Sequence, residues 1–597
     1  MIVKMKKFTF VLYHLDYEAF LDDLQKLGLV HLIKAKMAQS DSIKANRDLI
    51  DEYAEAMKFM TKLAPQDATV ITTNLLPKML LRQVNDARTK KDSLLRKKES
   101  LSRQLSELIP WGHFDPSTIA KLKSEGIDTA FYVCSRSQFK QDWKSKYPTT
   151  VIAEEAGLIY FVVLYQSDTK PAIDADAFML PSYTLRDLEQ EMKSLLEEIQ
   201  SIDQYMLDYA KTTADIFGTE IKRLSSELEF EEAIITADRE AEDHVIVLSG
   251  WIPKEKESSL IQFLNEEQVI YFAFEPTEND DVPVLLKNSA FAKLYEPIAK
   301  LFMLPKYNDL DLTPFFAPFF MLFFGFCNAD IGYGIILIIF AQLLKRKIKD
   351  EGTKSYMNLI TLFGISTIVM GWAMGSFFAF DLKENAIIGG SIPIRDTNQI
   401  FNFALILGVI QILFGILVNA GKQMQQSGFR YGLASIGTFL FLLSAVIMGS
   451  TVMGANPGVL ALYAKYPMYL GLALVFLFNS PGKNIIINIL SGIWLMYNIL
   501  TGFFGDLLSY IRLFALGVSS AILGIVVNAM AEQFSGIPVL GPVLFLVFMV
   551  FGHTLNLALG ALSGFVHPLR LTFVEFYKNA GFTGPGPQYK PFGKHNQ

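Results

Sequence analysis

The sequence predicts an α-helical membrane protein with eight transmembrane segments, the last two long and tilted, behind an N-terminal domain of α/β lobes and an antiparallel coiled coil. Three observations predict it. The 597 residues divide near position 310. Before it charged residues are frequent and no apolar run reaches the roughly 18 residues of a membrane helix; after it almost everything outside short loops is apolar. The soluble half carries an unbroken heptad seam, and the apolar half ends in two long segments that each hold one arginine. Residues 1–309 are therefore read as a soluble arm and 310–597 as a membrane domain.

Charge and cysteine usage narrow the setting. The net charge is −6 with no sustained basic block, so nucleic acid is not an expected partner. Cys134 and Cys327 fall in different halves, which gives no disulfide framework and fits a reducing cytosol. The N-terminus, Met1 to Lys7, leads into a short mixed run broken by His14 and Asp16. That is not a signal peptide, and the arm is expected to stay in the cytoplasm.

In the arm, Phe8 to Leu12, Val30 to Ile33, Ala130 to Val133, Leu158 to Leu164 and Val245 to Leu248 read as strands of small α/β lobes. Leu185, Leu188, Met192, Leu195, Ile199, Ile202, Met206 and Tyr209 recur at alternating steps of three and four, a heptad seam. Leu49, Tyr53, Ala56, Met60 and Leu63, then Leu94, Leu101, Leu105 and Leu108, form a similar but interrupted pattern. An antiparallel coiled coil within one chain accounts for both arms; a separate helical bundle or a homodimeric zipper is the alternative.

The membrane half opens with an apolar block, Phe315 to Leu344, interrupted by Asn328, Asp330, Gly332 and Gly334. As one helix it would be roughly 45 Å long, more than a crossing needs, whereas two full crossings need about 40 residues. A hairpin of two short helices returns Lys345-Arg346-Lys347-Ile348-Lys349 to the cytoplasm. Further spans are Met357 to Phe380, Phe401 to Gly421, Tyr431 to Met453, Leu460 to Phe478, Gly505 to Phe534 and Val539 to Tyr577. Lys422, Arg430, Lys483 and Lys578 then lie inside, and only Lys383, Arg395 and Lys465 outside, as the positive-inside rule requires. Both termini are cytoplasmic in this topology. The run Ile485 to Phe504 reads as a helix at the cytoplasmic interface, because a ninth crossing would spoil the charge bias.

Arg512 and Arg570 stand 29 residues before and 29 after Gly541, in the turn Gly536 to Pro542. Antiparallel flanks would bring the guanidiniums to similar depth. Each costs at least about 2.5 to 3.5 kcal/mol near a bilayer centre, which points to ion handling. On the last span His553, Asn556, Gly560, Ser563, His567 and Arg570 follow steps of three and four and form one polar or small stripe. Such stripes also serve simply to pack helices. Glu575 and Lys578 continue it, and Pro568 is placed to kink the helix. Asp506, Ser509, Arg512 and Ser519 give the preceding span a sparser polar face. An Asp506–Arg512 ion pair is the structural alternative, though a six-residue offset sets the two on different faces.

These residues resemble a known family. Leu508-Ser509-Tyr510-Ile511-Arg512-Leu513-Phe514-Ala515-Leu516-Gly517, the ending His567-Pro568-Leu569-Arg570-Leu571-Thr572-Phe573-Val574-Glu575-Phe576, and Thr313 to Phe320 leading to Asp330-Ile331-Gly332-Tyr333-Gly334 are similar to the membrane stator subunit of rotary V/A-type ATPases, called subunit a, or subunit I in bacteria. Leu304-Pro305-Lys306-Tyr307 and Gly250-Trp251-Ile252-Pro253 extend the resemblance into the soluble half. It implies a partner ring of small membrane subunits, each with an ion-binding carboxylate, and two offset half-channels separated by Arg512 and Arg570. It also implies binding to peripheral stalks and to the socket of the central stalk. An opposite charge within about 4 to 6 Å favours the ionised, unloaded carboxylate, so each ring site would release Na⁺ or H⁺ on passing the arginines. Glu575, His567, Ser563, Asn556 and Ser509 are the further candidate path residues; Glu575 and His567 have the alternative of being interfacial groups only.

Two family features are absent. Eukaryotic relatives carry a histidine eight residues after the first arginine and a glutamate ten before the second; this chain has Ser520 and Gly560. No G-x-x-x-x-G-K-[ST] pattern occurs, so ATP would be hydrolysed on other subunits, and neither a cofactor nor a metal site is expected. A stand-alone secondary transporter or channel with a cytoplasmic coiled-coil domain is the competing reading, since broken apolar segments occur there too, but no inverted repeat is apparent. A purely structural tether leaves the arginines unexplained.

Overall fold

The computed structural model describes the chain apart from residues 34–39, 64–74, 167–170, 182, 241–243, 279, 349, 383–391, 453–462, 480–483, 535–539 and 594–597. Among the described residues the strands are β1 (Met5–Tyr13), β2 (His31–Leu32), β3 (Ile127–Ser135), β4 (Thr149–Glu155), β5 (Leu158–Gln166), β6 (Asp176–Phe178), β7 (Asp238–Glu240), β8 (Val245–Pro253), β9 (Ile270–Phe274), β10 (Ser376–Phe377) and β11 (Phe380–Asp381). The helices of ten residues or more are α1 (Tyr17–Leu27), α2 (Asp41–Leu63), α3 (Pro77–Leu108), α4 (Leu185–Thr236), α5 (Glu257–Glu266), α6 (Thr313–Asn328), α7 (Ile331–Lys347), α8 (Glu351–Met374), α9 (Thr397–Ser427), α10 (Phe429–Val452), α11 (Lys465–Phe478), α12 (Ile485–Phe534) and α13 (Gly541–Arg570). They form two compact units: Met1–Leu12, Leu29–Ile33 and Val247–Pro591 in one, Tyr13–Gly28, Lys34–Ile246 and Phe592–Gln597 in the other.

The second unit is built on α4. Its 52 residues span about 78 Å. It starts at a capping box in which the Thr184 hydroxyl oxygen accepts from the Asp187 N–H, while the Asp187 carboxylate accepts from the Thr184 N–H at 2.9 Å and hydroxyl at 2.7 Å. Both α2 and α3 run antiparallel to it, as the ion pairs Lys97–Glu191, Lys90–Glu198 and Arg47–Glu232 show. Leu185, Leu188, Leu195 and Met206 are buried, and the seam continues as Ala210, Phe217 and Leu224 at seven-residue steps against Tyr53, Ala56, Met60 and Leu80. The partner of the heptad seam is thus the chain's own α2 and α3. At the α3 end a four-stranded sheet, β4-β5-β3-β6, closes over Trp143 and Phe161.

The first unit joins a sheet to the apolar helices. The sheet order is β2-β8-β1-β9, with His31 opposite Trp251 and Thr9 opposite Phe272 in antiparallel register. The hydropathy boundary near residue 310 is therefore a change of solvent rather than a break in packing. Val284 N–H donates to Pro587 O beyond the last helix, and Met5 N–H to the Tyr307 hydroxyl. Tyr295, Phe316, Phe320, Phe363, Phe576 and Tyr577 share one core.

Among the described residues five helices, α8, α9, α10, α12 and α13 with its extension to Asn579, are long and apolar enough to cross a membrane, and a sixth span results if α6 and α7 count as one. The chain turns through 119° between α6 and α7. Gly334 and Gly364 let α7 and α8 touch backbone to backbone, since a Cβ on either would stand under 3 Å from the other's carbonyl oxygen. The shorter α11 has 14 residues; the first part of its expected span, from Leu460, lies outside the described residues. One expectation fails: Ile485 to Phe504 is no separate interfacial helix but the first part of α12, whose 50 residues run about 75 Å. Gly502 and Gly505 fall inside it, and a glycine inside a helix costs only about 1 kcal/mol, too little to break so apolar a run.

Candidate functional site

The site is laid out by the pairing of α12 with α13. The Asn528 side-chain oxygen accepts from His553 Nε2 at 2.8 Å, and Asn556 Nδ2 donates to Ser520 O at 3.0 Å. Sixteen residues along from the first pair in antiparallel register, Arg512 comes about level with Leu569, next to Arg570. Both guanidiniums lie within electrostatic reach of His567. Arg512 is half-buried and Arg570 exposed, and among the described residues neither has a hydrogen-bond or ion-pair partner. Gly536 to Val539 of the turn between the helices lie outside the described residues. The Asp506–Arg512 pair does not form; Asp506 takes Lys578 at 3.1 Å and Asn579 at 2.8 Å instead.

The expected single stripe on α13 divides in two. His553, Asn556 and Gly560 are buried, whereas Ser563 and His567 are half-buried and Arg570 is exposed. The cause is the period: steps of three and four average 3.5 residues, and a straight helix drifts about 20° per heptad against them. Gly564 and Pro568 continue the buried line, and the stripe rotates outward. Beyond Arg570 the helix widens into a π turn, Leu571–Phe576, just after Pro568.

That turn carries Glu575 inward. It is 2% exposed and its Oε2 has no partner among the described residues, while the Ser509 hydroxyl of α12 donates to Gly505 O at 3.3 Å. A buried carboxyl oxygen left unpaired is costly, and such atoms cluster where proteins do work. Beside it opens a cavity of about 500 Å³ lined by Asp506, Lys578, Asn579, Asn498, Gln423 and Asn419, among others. Lys578, read in the sequence as a topology marker, is the partner of Asp506.

Near the middle of α13 the polar groups form a hydrogen-bonded chain. Asn528 Nδ2 donates to Phe378 O at 2.9 Å, Tyr333 Oη pairs with His553 Nδ1 at 2.7 Å, and Asn556 Nδ2 donates to Tyr333 Oη at 2.8 Å. Asp330, a helix interruption in the sequence, is the anchor. Its Oδ1 accepts from the N–H groups of Tyr333 (3.1 Å) and Phe378 (2.9 Å), its Oδ2 from the Ser376 hydroxyl (2.6 Å) and the Ala379 N–H (2.8 Å). An aspartate just before Gly-x-Gly at a helix start was the available signal for the cap; the clamp on the β10–β11 hairpin, 46 residues away, had none.

No protein-family model matches the chain. Curated relatives do. It is 27% identical to the A-type ATP synthase subunit I of Methanocaldococcus jannaschii over 81% of this chain and 74% of that protein. It is 26% identical to the V-type ATP synthase subunit I of Borreliella burgdorferi over the full length of both, and 24% identical to V-type ATP synthase subunit I 1 of Treponema pallidum over 99% of this chain and all of the other. Among solved structures, the cytoplasmic N-terminal domain of subunit I, homolog of subunit a, of V-ATPase aligns with 45% of this chain and all of its own at 11% identity and a TM-score of 0.23, too loose a fit to carry an argument. The chain is thus similar end to end to V-type ATP synthase subunit I of two spirochaetes, and over about four fifths of its length to A-type ATP synthase subunit I of an archaeon.

Proposed function

We propose that the chain is the non-catalytic membrane stator subunit of a rotary V/A-type ATPase and forms the ion half-channels that couple ATP hydrolysis on other subunits to transport of Na⁺ or H⁺. One observation carries the reading: two arginines with no partner among the described residues stand at nearly one level on adjacent helices, beside His567 and at the margin of an exposed apolar face that includes Leu508, Leu562 and Val566. Intramembrane cations are costly and rare, and they mark ion paths or the counter-charges of partners that come to them. A ring carboxylate passing that face meets both guanidiniums, sheds its cation and reloads beyond them. The cavity at Asp506 and Lys578, with Ser509 and Glu575 next to it, serves as the cytoplasmic half-channel.

In this reading residues 1–309 are the cytoplasmic arm that binds peripheral stalks and the central stalk socket, and 310–597 are the membrane domain. Helices α6 to α13 supply eight transmembrane segments with both termini cytoplasmic. Mild-detergent purification with cysteine cross-linking tests the arrangement. Ser563→Cys, about two turns along α13 from Arg570, should cross-link to a small membrane subunit that copurifies with ATPase subunits; a chain that purifies alone and transports alone would establish the secondary-transporter reading instead.

A further inference from the structure

Helices α7 and α8 form an antiparallel hairpin, and the last turn of α7 carries Lys345-Arg346-Lys347. Two side-chain contacts fix its register. Gln342 Nε2 donates to Thr361 Oγ1 at 3.3 Å and Lys345 Nζ to Asn358 Oδ1 at 2.8 Å, so three residues forward on α7 match three back on α8. Continued by two residues, the same register sets Lys347 level with Tyr356, whose ring is exposed.

The outer side of this hairpin has two features with nothing in the chain to meet them. Ile335, Ile336, Ile339, Phe340 and Leu343 share one face of α7 and are 40% to 56% exposed. Arg346 and Lys347 stand three and four residues beyond Leu343, so they continue that face. Both are exposed, and among the described residues neither has a hydrogen-bond or ion-pair partner. The acid that follows, Asp350, is already engaged: its Oδ2 accepts from the Thr353 N–H and hydroxyl at 2.7 Å each. A topology signal needs only positive charge somewhere in the loop. It does not need two free cations in line with an exposed apolar face and beside a tyrosine.

We propose that the outer side of the α7–α8 hairpin binds an anionic glycerophospholipid, its phosphate between Arg346, Lys347 and the Tyr356 hydroxyl and its acyl chains along Ile339, Phe340 and Leu343. The guanidinium fork matches two phosphate oxygens, and lysine adds a point charge. A soluble phosphate would leave the apolar face unused, and an apolar partner helix would leave both cations unmet. Basic residues just cytoplasmic of a membrane helix attract anionic lipid in this way. From the stator reading the site takes only the topology, which sets Lys345 to Lys347 at the cytoplasmic leaflet.

The test uses the assembled complex in phosphatidylcholine vesicles with a trace of phosphatidylglycerol carrying a diazirine on one acyl chain, or of phosphatidylcholine with the same tagged chain. After irradiation the labelled peptides are mapped. Phosphatidylglycerol should label 335–347 roughly five to ten times more than phosphatidylcholine, since each basic residue at an anionic surface is worth about a fivefold preference. Arg346→Gln/Lys347→Gln should bring the two lipids level, whereas Arg430→Gln, in another loop on the same side, should leave the preference in place. Excess glycerol phosphate should not displace the lipid. Equal labelling of the parent by both lipids, or no labelling by either, overturns the site. A preference that survives the double variant, or that glycerol phosphate abolishes, overturns it too. Labelling requires neither ATP nor Arg512, so its failure is separable from that of the stator reading, which Arg512→Ala tests by transport.

Discussion

At the residue scale the chain concentrates its cost in a few groups. Arg512 and Arg570 stay charged at any depth and present a planar donor fork, whereas a buried lysine deprotonates readily. Glu575 is the other expensive group, buried with one oxygen unpaired. If it passes protons or cations between the Asp506 cavity and the ring, Glu575→Gln, which keeps shape and loses charge, should cut ATP-driven uptake by about a hundredfold with the complex intact. Uptake at the parent's rate would leave Glu575 as packing only. The residue types were legible in the sequence because charges in apolar runs stand out. Their partners were not: Asp506 is six residues from Arg512 and 72 from Lys578, and only the fold decides for the distant one.

At the element scale, period governs. The stripe from His553 to Arg570 was visible as a pattern of threes and fours, but its rotation from a buried network to an exposed arginine needed the true pitch of α13 and the neighbours that cover one side. The single long α12 was missed for another reason: the positive-inside rule counts crossings and says nothing of how long one helix runs, so a stretch that adds no crossing is not recognised as part of its neighbour. The coiled coil was the most legible element, because a heptad seam on a 52-residue helix requires a partner. Its start depends on the Thr184 box. Thr184→Ala should speed amide exchange at Leu185 to Leu188 about fivefold, the equivalent of a lost cap of ~1 kcal/mol. The Thr184 N–H and hydroxyl hold the Asp187 carboxyl below the usual range. Its stabilisation is therefore complete above the ordinary aspartate value and is lost as pH falls through the lower folded value, so the first turn of α4 should fray only in strong acid. Exchange measured against pH checks that direction.

At the scale of the molecule, the first unit is held together by charges that the hydropathy boundary conceals. Lys422 of α9 pairs with Asp309 at 2.6 Å with side chains 7% and 2% exposed, and Asp309 also accepts from the Thr583 N–H at 2.7 Å and hydroxyl at 2.6 Å. This joins α9, the approach to α6 and the segment after α13 in one buried knot. Lys422→Met leaves the Asp309 charge buried without its counter-charge and should cost about 3 to 5 kcal/mol, read as a lower inactivation temperature in detergent, and adding Asp309→Leu should recover part of it. No recovery would mean that packing, not charge, holds the knot.

The central claim is that Arg512, with Arg570 beside it, separates two half-channels, and ATP-driven cation uptake by vesicles carrying the assembled complex tests it most directly. Arg512→Ala should abolish uptake while ATPase and ring subunits still copurify. Uptake at the parent's rate, in that variant and in the Arg512→Ala/Arg570→Ala double variant, would contradict it.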